Sequence, residues 1–348
     1  MTERKWKVFV FSPYDFGWDR SVADECYEKL RRENCEVVIA DHLTVPTREE
    51  LIELGKGADA FMGVQSKKVR IDEEILKCAP NLRIIAKYTV GVDDVDLDAA
   101  TRRGVLVTNA PLETTIVGVA ENTLALMLSL LKKIPLRDKL TRRGVWRPRE
   151  VKGTYVRGIT VGFIGFGRIA REVNRILEPW HVKRIAYDPY VPEEIFRQAN
   201  VEPVNLDVLL RESDVVLVLA ALTPETYHMI GERELRMMKK TAYLVNTARG
   251  AIIDENALIK ALKEGVIAGA ALDVFEHEPL SMENPLVELE NVILSPHCSD
   301  FNEGVGVEVE GVKLATENVL KALRGEIPVN IVNPEALPKW IEKFGRSS

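Results

Sequence analysis

The feature that most constrains this chain is a glycine turn between an apolar strand pattern and an amphipathic helix pattern. The apolar run 160–164 leads directly into Gly165-Phe166-Gly167-Arg168-Ile169-Ala170. In a strand–turn–helix unit, the first glycine permits a tight turn, the second lets a pyrophosphate approach the backbone, and a small third residue lets the helix pack on the strand. Free N–H groups at the helix start favour an anion, and Arg168 adds a mobile positive charge. We therefore predict a dinucleotide site at Gly165, Gly167, Arg168 and Ile169.

An acidic residue closes the next predicted strand, 183–187. Asp188 follows the turn by about 20 residues, where a carboxylate can accept both hydroxyls of the adenine-side ribose. It would repel the 2′-phosphate of NADP, and the next residues are Pro189 and Tyr190 rather than an arginine. A glycine match or a strand-end aspartate alone is often an ordinary turn, but the two in this context predict NAD as the cofactor.

Two series of short apolar strand patterns alternate with helix patterns. Strands are predicted at 7–11, 35–40, 58–64, 82–88, 105–109, 160–164, 183–187, 214–219, 242–246, 270–274 and 292–295. Helices are predicted at 21–32, 47–54, 72–79, 97–103, 117–133, 168–177, 205–212, 232–238, 255–264 and 302–324, with a basic loop over 142–152. Apolar strands alternating with helices predict an α/β fold of two doubly wound parallel sheets. The helix at 117–133 is apolar almost all round, so we expect it in the core or against another subunit.

Composition excludes several classes of protein. A length of 348 residues predicts about two domains. The net charge of −6 gives no global attraction to nucleic acid or to anionic membranes. The longest nearly apolar stretches, 124–131 and 215–222, are shorter than a membrane span, and the first residues lack a signal-peptide pattern, so we expect a cytoplasmic protein. The four cysteines form no CxxC pair, which argues against a zinc site or a disulfide framework.

Polar residues follow three strands of the second series. Arg249 follows 242–246, Glu278 follows 270–274 and His297 follows 292–295. Chemistry in doubly wound folds lies at the carboxyl ends of the strands. Arginine can bind a carboxylate through two parallel hydrogen bonds, and histidine can transfer a proton when a carboxylate orients it. Each residue alone could be structural, but together with a dinucleotide site they suffice for hydride transfer on a 2-oxo acid.

The chain resembles the D-isomer-specific 2-hydroxyacid dehydrogenase family, which includes D-lactate, D-glycerate, glyoxylate/hydroxypyruvate and phosphoglycerate dehydrogenases. The matching motifs run in the family's order from about residue 80 to 300. They are Val90-Gly91-Val92-Asp93, Asn109-Ala110-Pro111, Val119-Ala120-Glu121-Asn122-Thr123, the glycine turn, Leu222-Thr223-Pro224-Glu225-Thr226, Asn246-Thr247-Ala248-Arg249-Gly250, Ala271-Leu272-Asp273-Val274 and Ser295-Pro296-His297.

The resemblance implies roles at the matching positions. Arg249 binds the substrate carboxylate and polarises the carbonyl, and His297, paired with Glu278, donates the proton in reduction. Backbone N–H groups of Val90 and Gly91 hold the carboxylate from the other domain. The implied cofactor contacts are Asp273, Thr247, Ala248, Thr226 and the backbone near Ala221. No metal ligand is implied, and His277 falls on a variable position.

Two segments depart from the family pattern. The family usually has a histidine and a proline just before Leu222, where this chain has Leu219 and Ala221. After the catalytic histidine the family usually has a small glycine-containing turn, where this chain has Cys298-Ser299-Asp300-Phe301-Asn302. The second segment borders the expected pocket, so substrate preference does not follow from the resemblance.

The family further implies a Rossmann NAD-binding domain, residues 110–298, inserted in a flavodoxin-like substrate domain made of 1–109 and 299–348. The substrate is then a small 2-oxo or 2-hydroxy acid, and the helix at 117–133 is a dimer contact. Two alternatives stay open at this point. One is an NAD(H)-sensing scaffold like the corepressors of the same fold, and the other is a dehydrogenase of another substrate such as phosphite or formate, although formate would not need the acid–base pair.

Overall fold

The computed structural model describes residues 4–12, 20–40, 46–64 and 69–345. The chain divides into two compact units, Met1–Thr115 with Asn302–Ser348, and Ile116–Phe301. The sequence places these boundaries at 109/110 and 298/299. Both observed boundaries lie a few residues later in the chain than the predicted ones. The first falls in the opening turn of a long helix, and the second follows the turn after His297, which belongs to the second unit.

The strands and helices follow the alternation that the sequence predicts. The strands are β1 (Trp6–Ser12), β2 (Cys35–Ile39), β3 (Ala60–Gly63), β4 (Ile84–Lys87), β5 (Leu106–Thr108), β6 (Thr160–Ile164), β7 (Lys183–Tyr187), β8 (Glu202–Pro203), β9 (Val215–Val218), β10 (Tyr243–Asn246), β11 (Gly269–Leu272) and β12 (Val292–Leu294). The helices are α1 (Ser21–Arg32), α2 (Arg48–Gly55), α3 (Glu73–Lys77), α4 (Leu97–Arg103), α5 (Glu113–Lys132), α6 (Ile134–Arg142), α7 (Arg168–Leu177), α8 (Glu193–Gln198), α9 (Leu206–Glu212), α10 (Glu232–Met237), α11 (Glu255–Lys263), α12 (Val312–Leu323) and α13 (Leu337–Phe344). Short 3₁₀ turns cover Arg149–Val151, Glu178–Trp180, Gly250–Ile252, Pro285–Glu288 and Pro334–Ala336, and a π turn covers Val307–Gly311.

Both units contain a parallel sheet. The sheet of the first unit has the order β2-β1-β3-β4-β5, and that of the second has β12-β11-β10-β9-β6-β7-β8. The first is the flavodoxin-like order and the second extends the Rossmann order by one edge strand. In both sheets the strand order reverses beside the first strand of the unit. The second sheet therefore has its switch point between β6 and β9, where such folds bind their ligands.

The strands are apolar throughout because both faces of each sheet are buried. In β1, Val8 and Val10 pack in one core cluster, while Phe9 and Phe11 pack in the cluster on the opposite face. Alternate residues of a strand point to opposite faces, so a strand covered on both sides needs no polar positions. This explains why the apolar runs predict the strands to within one or two residues at each end.

Capping residues fix several helix starts. The side chains of Asp96, Asn205 and Asp254 accept hydrogen bonds from backbone N–H groups in the first turns of α4, α9 and α11. Such caps satisfy donors that have no partner within the helix. Helix α4 ends at Gly104, whose φ of 69° suits glycine.

The structure differs from the sequence predictions in three respects. The predicted helix 302–324 is a π turn followed by α12, because Gly304 and Gly306 have positive φ and interrupt the first part. Helix α6 was not predicted, and it ends at Arg142, the first residue of the predicted basic loop 142–152. The short α8 and β8 and the C-terminal α13 were not predicted, since elements this short or this late in the chain carry weak periodicity.

Helix α5 is a core helix of the second unit. Its residues Ala120, Leu124, Met127 and Leu131 pack against the sheet. The helix has 20 residues, and an 18-residue window within it has a mean hydropathy of 1.5, so it could cross a membrane by length and composition alone. However, 56% of this window is buried inside the protein, as expected for a core helix. The contact of this helix with a second subunit stays a prediction.

Candidate active site

The glycine turn after β6 has the shape of a phosphate-binding turn. Gly165 has a φ of 85°, and a Cβ there would lie 2.6 Å from the Cα of Ala220, so a side chain cannot be accommodated. Nothing lies within 4 Å of the Cβ position of Gly167, the N-cap of α7. No side chain of the described residues caps α7, so its N–H groups remain available to an anion. Ala170 is fully buried where the helix meets the sheet.

Asp188 lies at the end of β7, next to this turn. Its Oδ2 accepts a hydrogen bond from the backbone N–H of Phe166 at 2.8 Å, and its Oδ1 accepts one from that of Tyr190 at 3.0 Å. The carboxylate is thus fixed beside the glycine turn. Each oxygen keeps a further lone pair with which it can accept a hydroxyl.

The three strands that precede Arg249, Glu278 and His297 are neighbours in the sheet. β11 lies between β10 and β12, and Leu272 at its end pairs with Asn246 on one side and with Leu294 on the other. Because the strands are parallel, their carboxyl ends share one edge of the sheet. The structure therefore brings the loops that carry the three predicted residues together.

His297 and Glu278 form a pair. The distance between His297 Nδ1 and Glu278 Oε2 is 2.6 Å, and both side chains are partly buried. Glu278 Oε1 also accepts a hydrogen bond from the backbone N–H of Phe275 at 3.2 Å, which fixes the carboxylate. A carboxylate on Nδ1 assigns the proton to that nitrogen, so Nε2 is left to exchange a proton with a ligand.

Asp273 holds the loop that carries His297. Its carboxylate, 1% exposed, accepts hydrogen bonds from the backbone N–H groups of Cys298 and Ser299, each at 3.1 Å. It also accepts from the hydroxyls of Ser295 and, at 2.6 Å, of Ser299. These bonds fix the residues on both sides of His297, which itself has a positive φ of 52°. The structure thus gives Asp273 a structural role, and its predicted contact with the nicotinamide stays a prediction.

Replacing Asp273 with alanine should strongly destabilise the second unit. Two backbone N–H groups and two hydroxyls would lose their acceptor, and each unsatisfied buried donor costs about 1–3 kcal/mol. We expect the midpoint of thermal unfolding to fall by about 6 °C or more. Asp138→Ala, at an exposed ion pair on α6, is the matched control and should change it little. Equal midpoints for the two variants would contradict the role of Asp273.

The loop 247–250 is fixed by its own hydrogen bonds. Asn246 accepts a hydrogen bond from the Ala248 N–H at 3.0 Å and donates one to the Arg249 carbonyl at 2.9 Å. A Cβ on Gly250 would lie 2.0 Å from the carbonyl carbon of Phe275, so this loop packs directly on the loop that carries Glu278. The Arg249 guanidinium donates to the carbonyl of Ala248 at 2.7 Å and has further contacts.

The loop after β9 is closed on itself. Thr226 donates its hydroxyl proton to the carbonyl of Ala221 at 2.7 Å and accepts a hydrogen bond from the Thr223 N–H at 2.7 Å. Ala221 is exposed and Thr226 is partly buried. Both are predicted cofactor contacts. The structure shows that the Thr226 hydroxyl shapes this loop, and it leaves the predicted contacts untested.

Sequence reasoning missed several residues that support the site. Asn122 on α5 donates to the Ser299 hydroxyl at 2.7 Å, and the hydroxyls of Thr123 and Thr247 lie 2.7 Å apart. Neighbouring polar residues in a helix that is otherwise apolar were the available signal. A second histidine–glutamate pair, His228 with Glu276, joins the loop after β9 to the loop after β11. Its residues are far apart in the chain and carry no recognisable spacing.

Val90 and Gly91, the predicted carboxylate contacts, lie in the first unit in the loop after β4. Their carbonyls accept hydrogen bonds from Asn109 at 2.8 Å and Thr89 at 3.1 Å. Within the part of the chain that the structure describes, neither backbone N–H has an acceptor. The buried ion pair of Lys87 and Asp94, 2.6 Å apart, brackets the loop. Among the same residues, no group of three or more His, Cys, Asp or Glu side chains could hold a metal ion.

Comparison with known proteins identifies the family. The family model described as "D-isomer specific 2-hydroxyacid dehydrogenase, NAD binding domain" matches residues 124–299, half of the chain. The chain belongs to the D-isomer-specific 2-hydroxyacid dehydrogenase family. The match contains the glycine turn and the three loops that carry Arg249, Glu278 and His297.

Relatives match over most of the chain. A glyoxylate reductase of Thermofilum pendens is 42% identical over 88% of this chain and 91% of its own length. A D-3-phosphoglycerate dehydrogenase of Methanocaldococcus jannaschii is 40% identical over 93% of this chain, but that match covers 61% of its own length. The crystal structure of a glyoxylate reductase from Paecilomyes thermophila is similar with a TM-score of 0.81 and 28% identity, over 94% of this chain and 98% of that one.

The family gives the class of reaction. The protein is an NAD-dependent D-2-hydroxyacid dehydrogenase, an oxidoreductase that interconverts 2-oxo acids and 2-hydroxy acids. NAD is its cofactor, as the residues around the glycine turn predict. Both relatives are named as enzymes, so they give no support to the alternative of a scaffold that only senses NAD(H).

Proposed function

We propose that the protein reduces a small 2-oxo acid with NADH, either glyoxylate to glycolate or hydroxypyruvate to D-glycerate, the D-2-hydroxy acid. The observation that carries this proposal is the pair of His297 and Glu278, 2.6 Å apart, on the sheet edge that also carries Arg249. An acid–base pair beside a carboxylate-binding arginine matches what reduction of a 2-oxo acid requires. The glyoxylate reductase relatives support the choice of substrate.

The residues of the second unit fit NAD. Gly165 and Gly167 leave room for the pyrophosphate at the start of α7, and Asp188 is fixed where it can accept the ribose hydroxyls. Arg168, Ile169, Thr247, Ala248 and the backbone near Ala221 complete the proposed contacts. When bound, the cofactor supplies the hydride for the carbonyl carbon.

His297 acts as the general acid in reduction. Since Glu278 occupies Nδ1, the Nε2 proton is the one that His297 can donate to the carbonyl oxygen as negative charge develops there. The contact with Glu278 holds the ring in the orientation that this step needs. In the reverse direction the neutral ring accepts the proton from the hydroxyl.

Arg249 is proposed to bind the substrate carboxylate. The guanidinium fork can form two parallel hydrogen bonds with it, which fixes the orientation of the carbonyl. The loop 247–250, pinned by Asn246, positions the guanidinium. Val90 and Gly91 have backbone N–H groups without acceptors among the described residues, which supports the proposal that they also donate to the carboxylate.

A substrate panel tests this function. Glyoxylate, hydroxypyruvate, pyruvate, phenylpyruvate and 3-phosphohydroxypyruvate would each be mixed with NADH, and the loss of NADH absorbance measured. We expect the largest kcat/KM for glyoxylate or hydroxypyruvate. Activity with none of the five, or with phenylpyruvate foremost, would contradict the proposed substrate class.

Asp188 should make the enzyme prefer NADH to NADPH. A carboxylate beside the adenine ribose would face the 2′-phosphate of NADPH at short range, and like charges repel. We expect Asp188→Ala to reduce the ratio of kcat/KM for NADH over NADPH by about tenfold or more. Asp207→Ala, which removes a partly buried carboxylate of α9 elsewhere in the same unit, should leave the ratio unchanged. Equal efficiency of the parent enzyme with both cofactors would contradict the assignment.

A further inference from the structure

The turn that follows His297 carries an acidic side chain where the family usually has small residues. The Phe301 N–H donates to the carbonyl of Cys298 at 3.0 Å, which closes a turn with Asp300 at its third position. Ser299, before it, is buried and bonded to Asp273. The turn is therefore fixed, and Asp300 is held three residues from His297.

The charged groups around Asp300 are those of the proposed active site. His297 and Arg249 interact favourably with its carboxylate, and Asp273 interacts unfavourably. Partial burial raises the pKa of the Asp300 carboxyl, and the interactions with His297 and Arg249 oppose that shift. A carboxyl group is thus positioned within the electrostatic field of the acid–base pair and the arginine.

Asp300 does not serve the fold as Asp273 does. Asp273 uses both oxygens to hold backbone and hydroxyl donors of its neighbours. The carboxyl of Asp300 interacts with its own backbone N–H, and no other donor in the described ranges reaches it. Its remaining lone pairs are available to a ligand. Burial of an acid with few hydrogen-bond donors is costly, and such groups are concentrated at functional sites.

We propose that Asp300 is a specificity-determining residue that selects 2-oxo acids with a small neutral substituent at C3, above all a hydroxyl, against those with an anionic one. The inference rests on the proposed function, because it assumes that the substrate carboxylate binds Arg249 and its carbonyl faces His297. A substituent on the next carbon then lies in the same neighbourhood as the Asp300 carboxyl. A hydroxyl can donate a hydrogen bond to that group, whereas a phosphate or a second carboxylate is repelled by it.

The substrates of the two types of relative differ in charge. Glyoxylate and hydroxypyruvate carry no charge beyond the carboxylate, whereas 3-phosphohydroxypyruvate carries a phosphate as well. Asp300 therefore favours an activity of the glyoxylate/hydroxypyruvate reductase kind over one of the phosphoglycerate dehydrogenase kind. Pyruvate, which lacks the hydroxyl but is otherwise the same as hydroxypyruvate, isolates the contribution of the hydrogen bond.

The test compares kcat/KM for hydroxypyruvate, pyruvate and 3-phosphohydroxypyruvate in the parent enzyme, Asp300→Asn and Asp300→Ser. The parent should prefer hydroxypyruvate to both other acids. In Asp300→Asn, the efficiency with 3-phosphohydroxypyruvate relative to hydroxypyruvate should rise by about tenfold or more, since a screened repulsion between unit charges is removed. Asp300→Ser should show the same rise. It should also lower the ratio of kcat/KM for hydroxypyruvate over kcat/KM for pyruvate. Asp138→Asn changes the net charge equally on exposed α6 and should reproduce the parent ratios.

Three results would overturn the proposal. The first is that the ratio of kcat/KM for 3-phosphohydroxypyruvate over kcat/KM for hydroxypyruvate stays within twofold of the parent value in both Asp300 variants. The second is a parent enzyme that uses 3-phosphohydroxypyruvate at least as well as hydroxypyruvate. The third is loss of activity in both variants while NADH binding by fluorescence is retained, which would make Asp300 essential rather than selective. A parent enzyme inactive with every acid would instead contradict the proposed function.

Discussion

Replacing His297 with glutamine is expected to lower kcat for reduction by about 10²–10⁴-fold, the usual contribution of a positioned general acid. Glutamine keeps a side chain of similar length but cannot deliver a proton to the carbonyl oxygen. NADH affinity should change little, because the proposed phosphate and ribose contacts lie at the glycine turn and Asp188. Steady-state rates and NADH fluorescence titration measure the two quantities. His277→Gln, at an exposed histidine next to Glu278, is the matched control and should retain parent activity.

Glu278 tests whether the pair acts as a unit. Because its carboxylate contacts Nδ1 and fixes the orientation of the His297 ring, Glu278→Gln should lower kcat for reduction by about tenfold or more. The double variant should be hardly slower than His297→Gln alone. Multiplicative losses of kcat in the double variant would show that the residues act separately. Glu283→Gln, at an exposed position, controls for the loss of a charge.

Replacing Arg249 with lysine should lower kcat/KM for the 2-oxo acid by about 10–100-fold. Lysine keeps the positive charge but cannot form two parallel hydrogen bonds with a carboxylate, and a charge-assisted hydrogen bond is worth about 1.5–3 kcal/mol. The loss should include a higher KM, while NADH affinity stays close to that of the parent. Arg211→Lys, at an exposed ion pair of α9, should have parent kinetics. If NADH affinity collapses instead, Arg249 is a cofactor or structural residue.

Most of the fold follows from local sequence patterns. The strands β6 and β7 and the helices α1, α4 and α7 have the predicted bounds. Strands buried on both faces are continuously apolar, α4 lies between a capping aspartate and a glycine, and α7 begins directly after the glycine turn. The break before α12 was not predicted. Gly304 and Gly306 lie in this segment, and their positive φ values are visible only in the structure.

The part of the site that could be predicted consists of single residues that directly follow apolar strands. Arg249, Glu278 and His297 each follow an apolar strand, so their convergence follows from parallel topology, and the structure adds the pairing of His297 with Glu278. The supporting contacts were not predictable in the same way. The bonds from Asp273 to Ser295 and Ser299, and from Asn122 to Ser299, join residues distant in the chain whose side chains meet only after folding.

Transfer of deuterium from NADH labelled at the transferable position of the nicotinamide shows whether the enzyme delivers hydride to C2 of a 2-oxo acid with His297 as the acid. The labelled cofactor would be incubated with hydroxypyruvate, and the glycerate analysed by mass spectrometry and chiral chromatography. We expect the parent enzyme to form D-glycerate with one deuterium at C2. In His297→Gln, the yield of this product should fall to the same extent as the rate of NADH oxidation. L-glycerate, deuterium released to solvent, or full retention of product formation in His297→Gln would contradict this expectation.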